Sequence, residues 1–335
     1  MVITKTPFRV SFFGGGTDYP TWVDEHGGAT LSTTINKYCY VTCRHLPPFF
    51  DYNYRIRYNE QEHVKTIAEI RHPSVRACLA FTNTKERIEM QHNGDLPAMS
   101  GLGSSSSFTV GLLHALYALR NEQKISKKRL AEEAIHIEQN VIKENVGSQD
   151  QIAAAFGGFN KIEFRKGGQF EVIPVSVSPE TARALEGRLM LFFTGFARNA
   201  SEVAAEQIKN IKQKEQELHA MAAMVPEAAR ILAAGPARLQ EFGRLLDASW
   251  ILKRGLSSKI TNSHIDGMYA AAKSAGALGG KILGAGGGGF MLLYAEPEVQ
   301  PRIRETLGKF LHVPFRFENE GSQTIFKLDN ETYLS

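Results

Sequence analysis

The sequence contains few cysteines. Only three occur in 335 residues, and a chain of this length can bury a core large enough to fold without disulfides. Cys39 and Cys43 stand four residues apart in a strand-like run, which predicts that both pack on one face of a strand. No group of cysteines and histidines has the spacing of a structural zinc site.

Long apolar runs and dense basic runs are also missing. The N-terminal residues lack a signal-peptide pattern and no apolar run is long enough to span a bilayer, so we expect a cytoplasmic protein without a membrane partner. The formal net charge is only +4, which favours small anionic ligands over nucleic acid. The G-x-x-x-x-G-K-[ST] loop of P-loop enzymes is absent, as are the H-R-D and D-F-G sequences of protein kinases.

Glycine and serine are concentrated in one segment, PAMSGLGSSSSFTVGLLHALYAL at residues 97–119. From residue 108 onward the apolar residues have the spacing of an amphipathic helix. Gly101 and Gly103 predict a tight loop before that helix, with the serines at the cap and in the first turn. Four serines are more than one helix cap requires. The first turn of a helix presents backbone N–H groups at its positive end. The segment therefore predicts an anion-binding loop.

A second glycine run, KILGAGGGGF at residues 281–290, has the spacing G-x-G-x-x-G at Gly284, Gly286 and Gly289. A dinucleotide-binding fingerprint requires a helix directly after the glycines, whereas FMLLYA predicts a strand. Two consecutive glycines would suffice for a hairpin turn. Five glycines in six positions therefore predict that this backbone passes close to another part of the molecule.

Two carboxylates occupy notable positions on predicted helices, one on an apolar face and one in a first turn. A helix over about 126–143 has an apolar face, and Glu138 lies within it. A carboxylate on a buried face is costly unless it is paired or binds a metal. Ser148 and Gln151 fit a capping box, which would place Asp150 in the first turn of the next helix.

The order of predicted elements favours two domains. Near the start, Phe8, Val10 and Phe12 alternate with Arg9 and Ser11, which predicts a half-buried strand. From residue 188 the pattern restarts, and it continues to a last strand around TIFKL. Apart from additional helices, this half has the β-α-β-β-α-β order of ferredoxin-like folds. We place the boundary near residue 187, which gives units 1–187 and 188–335.

The combination of motifs resembles the GHMP kinase family. The three segments that carry the resemblance are TPFRVSFFGGGTDYP, PAMSGLGSSSSFTVG and KILGAGGGGF, in the order and spacing of the family. The resemblance covers nearly the full chain. It implies an α+β fold of two domains, the first similar to domain 2 of ribosomal protein S5 and the second ferredoxin-like. It also implies an enzyme that uses ATP and Mg²⁺ to phosphorylate a small molecule.

The resemblance assigns roles residue by residue. Ser105 and Glu138 match the Mg²⁺ ligands of the family, Asp150 matches the catalytic aspartate beside the accepting hydroxyl, and Arg9 matches an arginine near the reacting centre. The residues implied to bind ATP are Pro97, Ser100, Gly101, Leu102, Gly103, Ser104, Ser105 and Ser106. A helix first turn and a partner such as Arg9 both favour ionised Asp150. A strongly acidic carboxylate is a poor proton acceptor, so Asp150 is either a base or an orienting group.

The substrate side departs from galactokinase, which has Glu-His where this chain has Gly15 and Gly16. Part of the first segment, FRVSFFGGGTDYP, and three further segments resemble family members that phosphorylate the anomeric hydroxyl of D-glycero-D-manno-heptose 7-phosphate; the further segments are ENVGSQDQIAAAFGG, FFTGFARNASE and WILKRGLSSKI. In the family this reaction leads to nucleotide-activated heptose for surface polysaccharide. The implied substrate-binding residues, which include three cations for the existing phosphate, are Gly15, Gly16, Asp18, Arg198, Lys253, Arg254, Gly286 and Gly287.

Two other functions fit the same segments. A fucokinase-like sugar 1-kinase would act on a neutral sugar and would not need the cations. A non-catalytic regulator that binds nucleotide and sugar would be expected to lack the aspartate or the metal ligands, yet Glu138 and Asp150 are present. We expect small-molecule partners, no nucleic acid, and a monomer or a homodimer.

Overall fold

The computed structural model describes residues 1–122, 125–196 and 200–328. The elements of the N-terminal half are β1 Val2–Phe13, α1 Pro20–His26, β2 Gly28–His45, β3 Tyr54–Arg57, β4 Gln61–Val64, α2 Pro73–Phe81, β5 Ile88–Gly94, α3 Ser104–Leu119, α4 Lys127–His136, α5 Gln149–Phe156, β6 Phe159–Arg165 and β7 Gln169–Pro174. A π-helical turn, Ile137–Val141, follows α4, and a 3-10 turn, Ile67–Glu69, precedes α2.

The elements of the C-terminal half are α6 Pro179–Glu186, β8 Leu189–Phe193, α7 Ala200–Asn210, α8 Glu215–Ala233, α9 Leu239–Arg254, α10 Ser263–Ser274, β9 Gly279–Ile282, β10 Phe290–Tyr294, α11 Gln300–Thr306, β11 Leu311–His312, β12 Phe317–Glu318 and β13 Gln323–Lys327. Three 3-10 turns, Ile211–Gln213, Pro236–Arg238 and Pro297–Val299, join some of these helices. None of the helices in the described ranges is both long and apolar enough to cross a membrane.

Two sheets organise these elements. The larger sheet has nine strands in the order β13-β1-β2-β5-β3-β4, with β12 and β6 also paired to β2, and β7 paired to β6. The smaller sheet has the order β11-β8-β10-β9 and is antiparallel throughout. The fold is therefore α+β, as the sequence predicts. Cys39 and Cys43 are both buried on β2, which confirms that they are packing residues.

Strand β1 is more deeply buried than its sequence suggests. Every residue from Thr6 to Phe13 is buried, so the prediction of a half-buried strand is wrong. Helix α3 packs on the strand near Thr6, and the Phe242 ring of α9 contacts Phe12 at 5.3 Å between ring centroids. The alternation of apolar and polar residues does not reveal this burial, because helices cover both faces of β1. Burial of the strand also buries Arg9, which is central to the site described below.

The last strand does not belong to the C-terminal sheet. Strand β13, which contains TIFKL, pairs with β1 in the larger sheet, and the short β11 pairs with β8 instead. The expectation that TIFKL closes the ferredoxin-like sheet is therefore wrong, because a strand pattern does not identify its hydrogen-bonding partner. A boundary at residue 187 stays a prediction, and any unit 188–335 would include two strands that pair in the other sheet.

Candidate active site

A cavity of about 410 Å³ lies where the glycine–serine loop, the end of β1, the start of α5 and the loop before β10 meet. It is lined by side chains and backbone from both halves of the chain. Among the residues that line it are Arg9, Gly15, Gly16, Asp18, Gly101, Gly103, Ser104, Ser105, Ser106, Gln149, Asp150, Lys253, Lys281 and Gly284. The three motifs found in the sequence thus meet at one place.

The glycine–serine loop leads directly into helix α3. Gly103 is the N-cap residue with φ 74°, and α3 begins at Ser104. The cap is thus a glycine in the left-handed conformation, and the expected serine cap is wrong; the serines form the first turn instead. The first N–H groups of a helix have no intrahelical acceptor, and Ser104, Ser105 and Ser106 line the cavity. The loop can therefore bind phosphate oxygens with backbone donors.

The other residues predicted to bind ATP have different positions. Ser100 and Leu102 are fully buried beneath the loop, where they support it rather than line the cavity. Pro97 is exposed and is not among the lining residues. Met99, which the sequence analysis did not select, does line the cavity.

The second glycine run packs against the first, as its excess of glycine predicts. The Phe290 N–H donates to the Ser100 carbonyl oxygen at 3.1 Å. A Cβ atom on Gly284 would lie 2.6 Å from the Gly101 Cα, and one on Gly289 would lie 2.3 Å from the Ser100 carbonyl oxygen. Only glycine permits this approach. The contact fixes the glycine–serine loop against the C-terminal half of the chain.

Gly284→Ala should therefore disturb ATP binding. The new Cβ atom must displace the backbone of Gly101, so we expect a higher KM for ATP and a free energy of unfolding lower by about 1–3 kcal/mol. Gly167→Ala is the matched control, because Gly167 has φ 75° and nothing within 4 Å of its Cβ position. Steady-state kinetics and denaturant unfolding measure both effects. Equal KM values for ATP in the two variants would contradict the role of the contact.

The Arg9 and Asp150 side chains form a two-point ion pair at the centre of the cavity. Arg9 Nε donates to Asp150 Oδ1 at 2.7 Å, and Arg9 Nη2 donates to Oδ2 at 2.8 Å. Arg9 Nη1 also donates to the Gly101 carbonyl oxygen at 2.7 Å. The Arg9 side chain is 4% exposed and that of Asp150 is 25% exposed. Arg9 thus fixes the Asp150 carboxylate beside the glycine–serine loop, and the carboxylate stays open to the cavity.

Asp150 lies in the first turn of α5, as predicted, but the expected capping box is wrong. The Ser148 side chain makes no capping bond to α5; it accepts a hydrogen bond from Gln139 Nε2 at 3.1 Å. Gln151 donates to Glu138 instead. A local sequence pattern does not reveal that a buried carboxylate competes for the same glutamine.

Asp18 also lines the cavity and lies just after the glycines of the first motif. The Gly16 N–H donates to its Oδ1 at 3.0 Å, and the Gln149 N–H donates to its Oδ2 at 3.4 Å. Burial raises the pKa of Asp18, and the nearby Asp150 charge raises it further, while the N–H donors oppose both. A carboxylate held in this way can accept further hydrogen bonds from hydroxyl groups.

Glu138 is fully buried in the π-helical turn after α4. Ser106 Oγ donates to its Oε2 at 2.8 Å, and Gln151 Nε2 donates to the same oxygen. Glu138 Oε1 and Gln151 Oε1 are buried acceptors without a partner among the described residues. Burial raises the pKa of Glu138 to about 7. Unpaired oxygens beside a carboxylate suit a hard divalent cation, so the residues present fit Mg²⁺.

The serine at this carboxylate differs from the predicted one. Ser106 contacts Glu138, whereas Ser105 faces the cavity. Ser105 as a metal ligand stays a prediction. The π-helical turn sets the direction of Glu138, and such turns are frequent at functional sites.

The three cations predicted to bind the phosphate of the substrate have different positions. Lys253 lines the cavity, but Arg254 is not among the lining residues and pairs with Asp266 at 3.3 Å. Arg198 lies outside the described residues. Gly286 and Gly287 turn toward Ile260: the Gly287 N–H donates to the Ile260 carbonyl oxygen at 2.8 Å.

Several polar residues that line the cavity were missed by the sequence analysis, among them Ser11, Gln149 and Lys281. Ser11 Oγ donates to Gln149 Oε1 at 2.8 Å on the cavity wall beside Gly15, and Lys281 lies on β9. A signal for Lys281 was present, because this cation stands between glycine and apolar residues at the start of the second glycine run. No comparable signal marked Ser11 or Gln149.

The fold and the site together define a phosphotransferase that acts on small molecules. The chain belongs to the GHMP kinase family: residues 65–158 match the GHMP kinases N terminal domain and residues 224–313 match the GHMP kinases C terminal domain. As in that family, ATP is the phosphoryl donor. The heptose phosphate relatives described next support a sugar kinase within it.

Two curated relatives and one solved structure illustrate the similarity. The D-glycero-alpha-D-manno-heptose 7-phosphate kinase of Campylobacter jejuni is 30% identical over 91% of this chain and 93% of its own. The bifunctional fucokinase/GDP-fucose pyrophosphorylase of Arabidopsis thaliana is 26% identical over 90% of this chain, which matches 31% of that protein. A D-glycero-D-manno-heptose 1-phosphate kinase from Bacteroides thetaiotaomicron shares the fold, with a TM-score of 0.80 and 24% identity over 98% of this chain and 99% of its own.

Proposed function

We propose that this sugar kinase transfers the γ-phosphoryl group of ATP to the anomeric hydroxyl of D-glycero-D-manno-heptose 7-phosphate, giving the 1,7-bisphosphate. The Arg9–Asp150 pair carries the proposal, because Asp150 can accept a hydroxyl proton and lines the same cavity as the glycine–serine loop that we propose to bind the donor phosphates. The Campylobacter jejuni relative supports the choice of sugar. The product would feed the synthesis of nucleotide-activated heptose.

In the proposed mechanism, the chain contributes position and charge. The N–H groups at the start of α3 bind the ATP phosphates, and Asp18 accepts hydrogen bonds from sugar hydroxyls. Asp150 accepts a hydrogen bond from the anomeric hydroxyl and orients it toward the γ-phosphorus, or takes its proton. Arg9 holds Asp150 and adds positive charge near the transferred group. Bound Mg²⁺, held by Glu138 with Ser105 or Ser106, would neutralise the phosphate charge.

A fucokinase-like activity is the second candidate, supported by the similarity to the Arabidopsis thaliana protein over most of this chain. It would use the same Asp150 and a neutral sugar. A non-catalytic regulator is disfavoured by the intact pair of Arg9 and Asp150.

Turnover of ATP to ADP with a panel of acceptors tests the proposal. The panel holds the mannoheptose 7-phosphate, sedoheptulose 7-phosphate, mannose 6-phosphate, fucose, galactose and no sugar. We expect selective turnover on the mannoheptose 7-phosphate, with phosphorus NMR showing a new anomeric phosphate. Turnover on fucose alone would favour the fucokinase-like activity over the proposed one. ATP binding without turnover on any acceptor would support a non-catalytic regulator.

The affinity for the sugar phosphate should depend on pH through Lys253. Burial, together with the nearby Arg9 charge, lowers the pKa of Lys253 to about 7. The lysine is charged below this pKa and neutral above it. We therefore expect the KM for the sugar phosphate to rise above about pH 7, by at most about tenfold per pH unit.

Steady-state kinetics between about pH 6 and pH 9 measure this effect, since a phosphate monoester is mostly a dianion in that range. Lys253→Met removes this titrating group and should give a higher KM that depends less on pH over the same range. A KM that stays constant in the unmodified enzyme would exclude Lys253 from phosphate binding.

A further inference from the structure

Two lysine ammonium groups are buried in the wall of the cavity. Lys253, on α9, is 4% exposed, and Lys281, on β9, is 1% exposed; both line the cavity. Lys281 Nζ donates to the Phe12 carbonyl oxygen at 2.8 Å. Lys253 Nζ donates to the Ile282 carbonyl oxygen at 3.3 Å and to that of Gly284. Among the residues that the structure describes, neither lysine forms an ion pair with a carboxylate.

This arrangement leaves both lysines without a carboxylate in direct contact among the described residues, although Asp18 and Asp150 lie near Lys253. Lysine is rarely fully buried unless it is paired, and an ammonium has three N–H donors. Lys281 uses one of them on a protein acceptor and Lys253 uses two, so donors remain on both groups. The groups also repel each other, and Arg9 adds a third cation nearby. Asp18 and Asp150 attract Lys253, but they are already bonded to backbone N–H groups and to Arg9.

We propose that Lys253 and Lys281 form a pair that binds a phosphate monoester dianion in this cavity. The proposal rests on the proposed kinase function and extends it to a residue, Lys281, that the sequence motifs do not assign. A dianion between the two lysines would supply the missing negative charge and accept their remaining N–H groups. It would offset the cost of burying the two charges.

A chain of contacts connects the two lysines to the Arg9–Asp150 pair. Lys253 bonds to the carbonyl oxygen of Gly284, and Gly284 packs against Gly101. Gly101 in turn accepts a hydrogen bond from Arg9, the partner of Asp150. The lysines therefore lie on the side of the cavity that adjoins the reacting centre. Two phosphate groups come into this cavity during the proposed reaction, the one that the sugar carries and the one in transfer.

Phosphate binding without any sugar tests the pair directly. The glycine–serine loop is first filled with Mg²⁺ and ADP, which leaves the position of the transferred group free, and inorganic phosphate is then titrated at constant ionic strength, with chloride as reference. We expect phosphate to raise the melting temperature of the unmodified protein. Lys253→Met and Lys281→Met should each weaken phosphate binding by about tenfold or more.

Two further variants make this experiment decisive. Lys281→Gln keeps an N–H donor for the Phe12 carbonyl oxygen and removes the charge, so it replaces Lys281→Met if that variant does not fold. Lys273→Met is the control, because Lys273 pairs with Asp247 and is not among the cavity residues; its phosphate binding should be unchanged. Phosphate binding of Lys281→Gln equal to that of the unmodified protein would overturn the proposal.

Kinetics of the same variants distinguish the two sources of phosphate. A raised KM for the sugar phosphate with kcat maintained would assign the pair to the phosphate that the sugar carries. A lowered kcat with KM maintained would assign it to the group in transfer. Unchanged kcat and KM in Lys281→Gln would overturn the proposal. The binding experiment contains no sugar, so it remains informative even if the heptose phosphate proves not to be the substrate.

Discussion

Asp150→Asn should lower kcat by about 10²–10⁴-fold, the usual contribution of a side chain that moves or orients a proton in the transition state. The change keeps the shape of the side chain and removes its charge. It also turns an amide NH₂ toward one of the two Arg9 donors, both of which contact a carboxylate oxygen within 2.8 Å. Affinity for ATP should stay close to normal, because the backbone donors of α3 are untouched.

The matched control is Asp266→Asn. Asp266 also pairs with an arginine, Arg254, at 3.3 Å, but it is not among the residues that line the cavity. Single-turnover and steady-state kinetics with saturating ATP compare the two variants, and melting temperatures confirm that both are folded. A kcat of Asp150→Asn close to that of the control would remove Asp150 from the mechanism.

The division between kcat and KM also separates the two roles left open for Asp150. A fall in kcat with an unchanged KM for the sugar means that the carboxylate acts mainly in the transition state, as a base does. A rise in the KM for the sugar together with a smaller fall in kcat means that it orients the bound hydroxyl. The two-point contact with Arg9 favours the orienting role, because it holds both carboxylate oxygens in fixed positions.

Residues in the motifs were the easiest to predict from the sequence. Gly101, Gly103 and the following serines identified the loop because their composition exceeds what a simple helix cap needs. Glu138 was recognisable because a carboxylate interrupts an apolar helical face. Both signals are local, so they can be read without knowing the rest of the fold.

Features that depend on distant segments could not be predicted in this way. Strand β13 resembles any short strand, and only the folded chain shows that it pairs with β1. Gln151 fits a capping box locally, yet it donates to Glu138 because burial makes a second donor to that carboxylate more valuable. Arg254 looked as suitable as Lys253, but their adjacent positions on α9 direct one toward Asp266 and the other toward the cavity.

Glu138→Gln should increase the Mg²⁺ concentration needed for half-maximal activity by about 10–100-fold, the range seen when groups around a metal are lost. The amide keeps an oxygen that can accept from Ser106, and it offers an NH₂ group where the Gln151 carbonyl oxygen has no partner among the described residues. We therefore expect the variant to fold normally. Mg²⁺ titrations at fixed ATP, with melting temperature as the folding control, measure the effect.

Comparing Ser105→Ala with Ser106→Ala then identifies which hydroxyl accompanies Glu138. Ser106 already donates to the carboxylate at 2.8 Å, whereas Ser105 is exposed at the cavity. If Ser106 only holds Glu138 in place, its alanine variant should show a moderately weaker Mg²⁺ response, while Ser105→Ala should show a larger one as a lost ligand. A normal Mg²⁺ response in Ser105→Ala together with a weak one in Ser106→Ala would transfer the ligand role to Ser106. Normal Mg²⁺ dependence in Glu138→Gln would exclude a metal at this carboxylate and leave its buried oxygen to a water molecule.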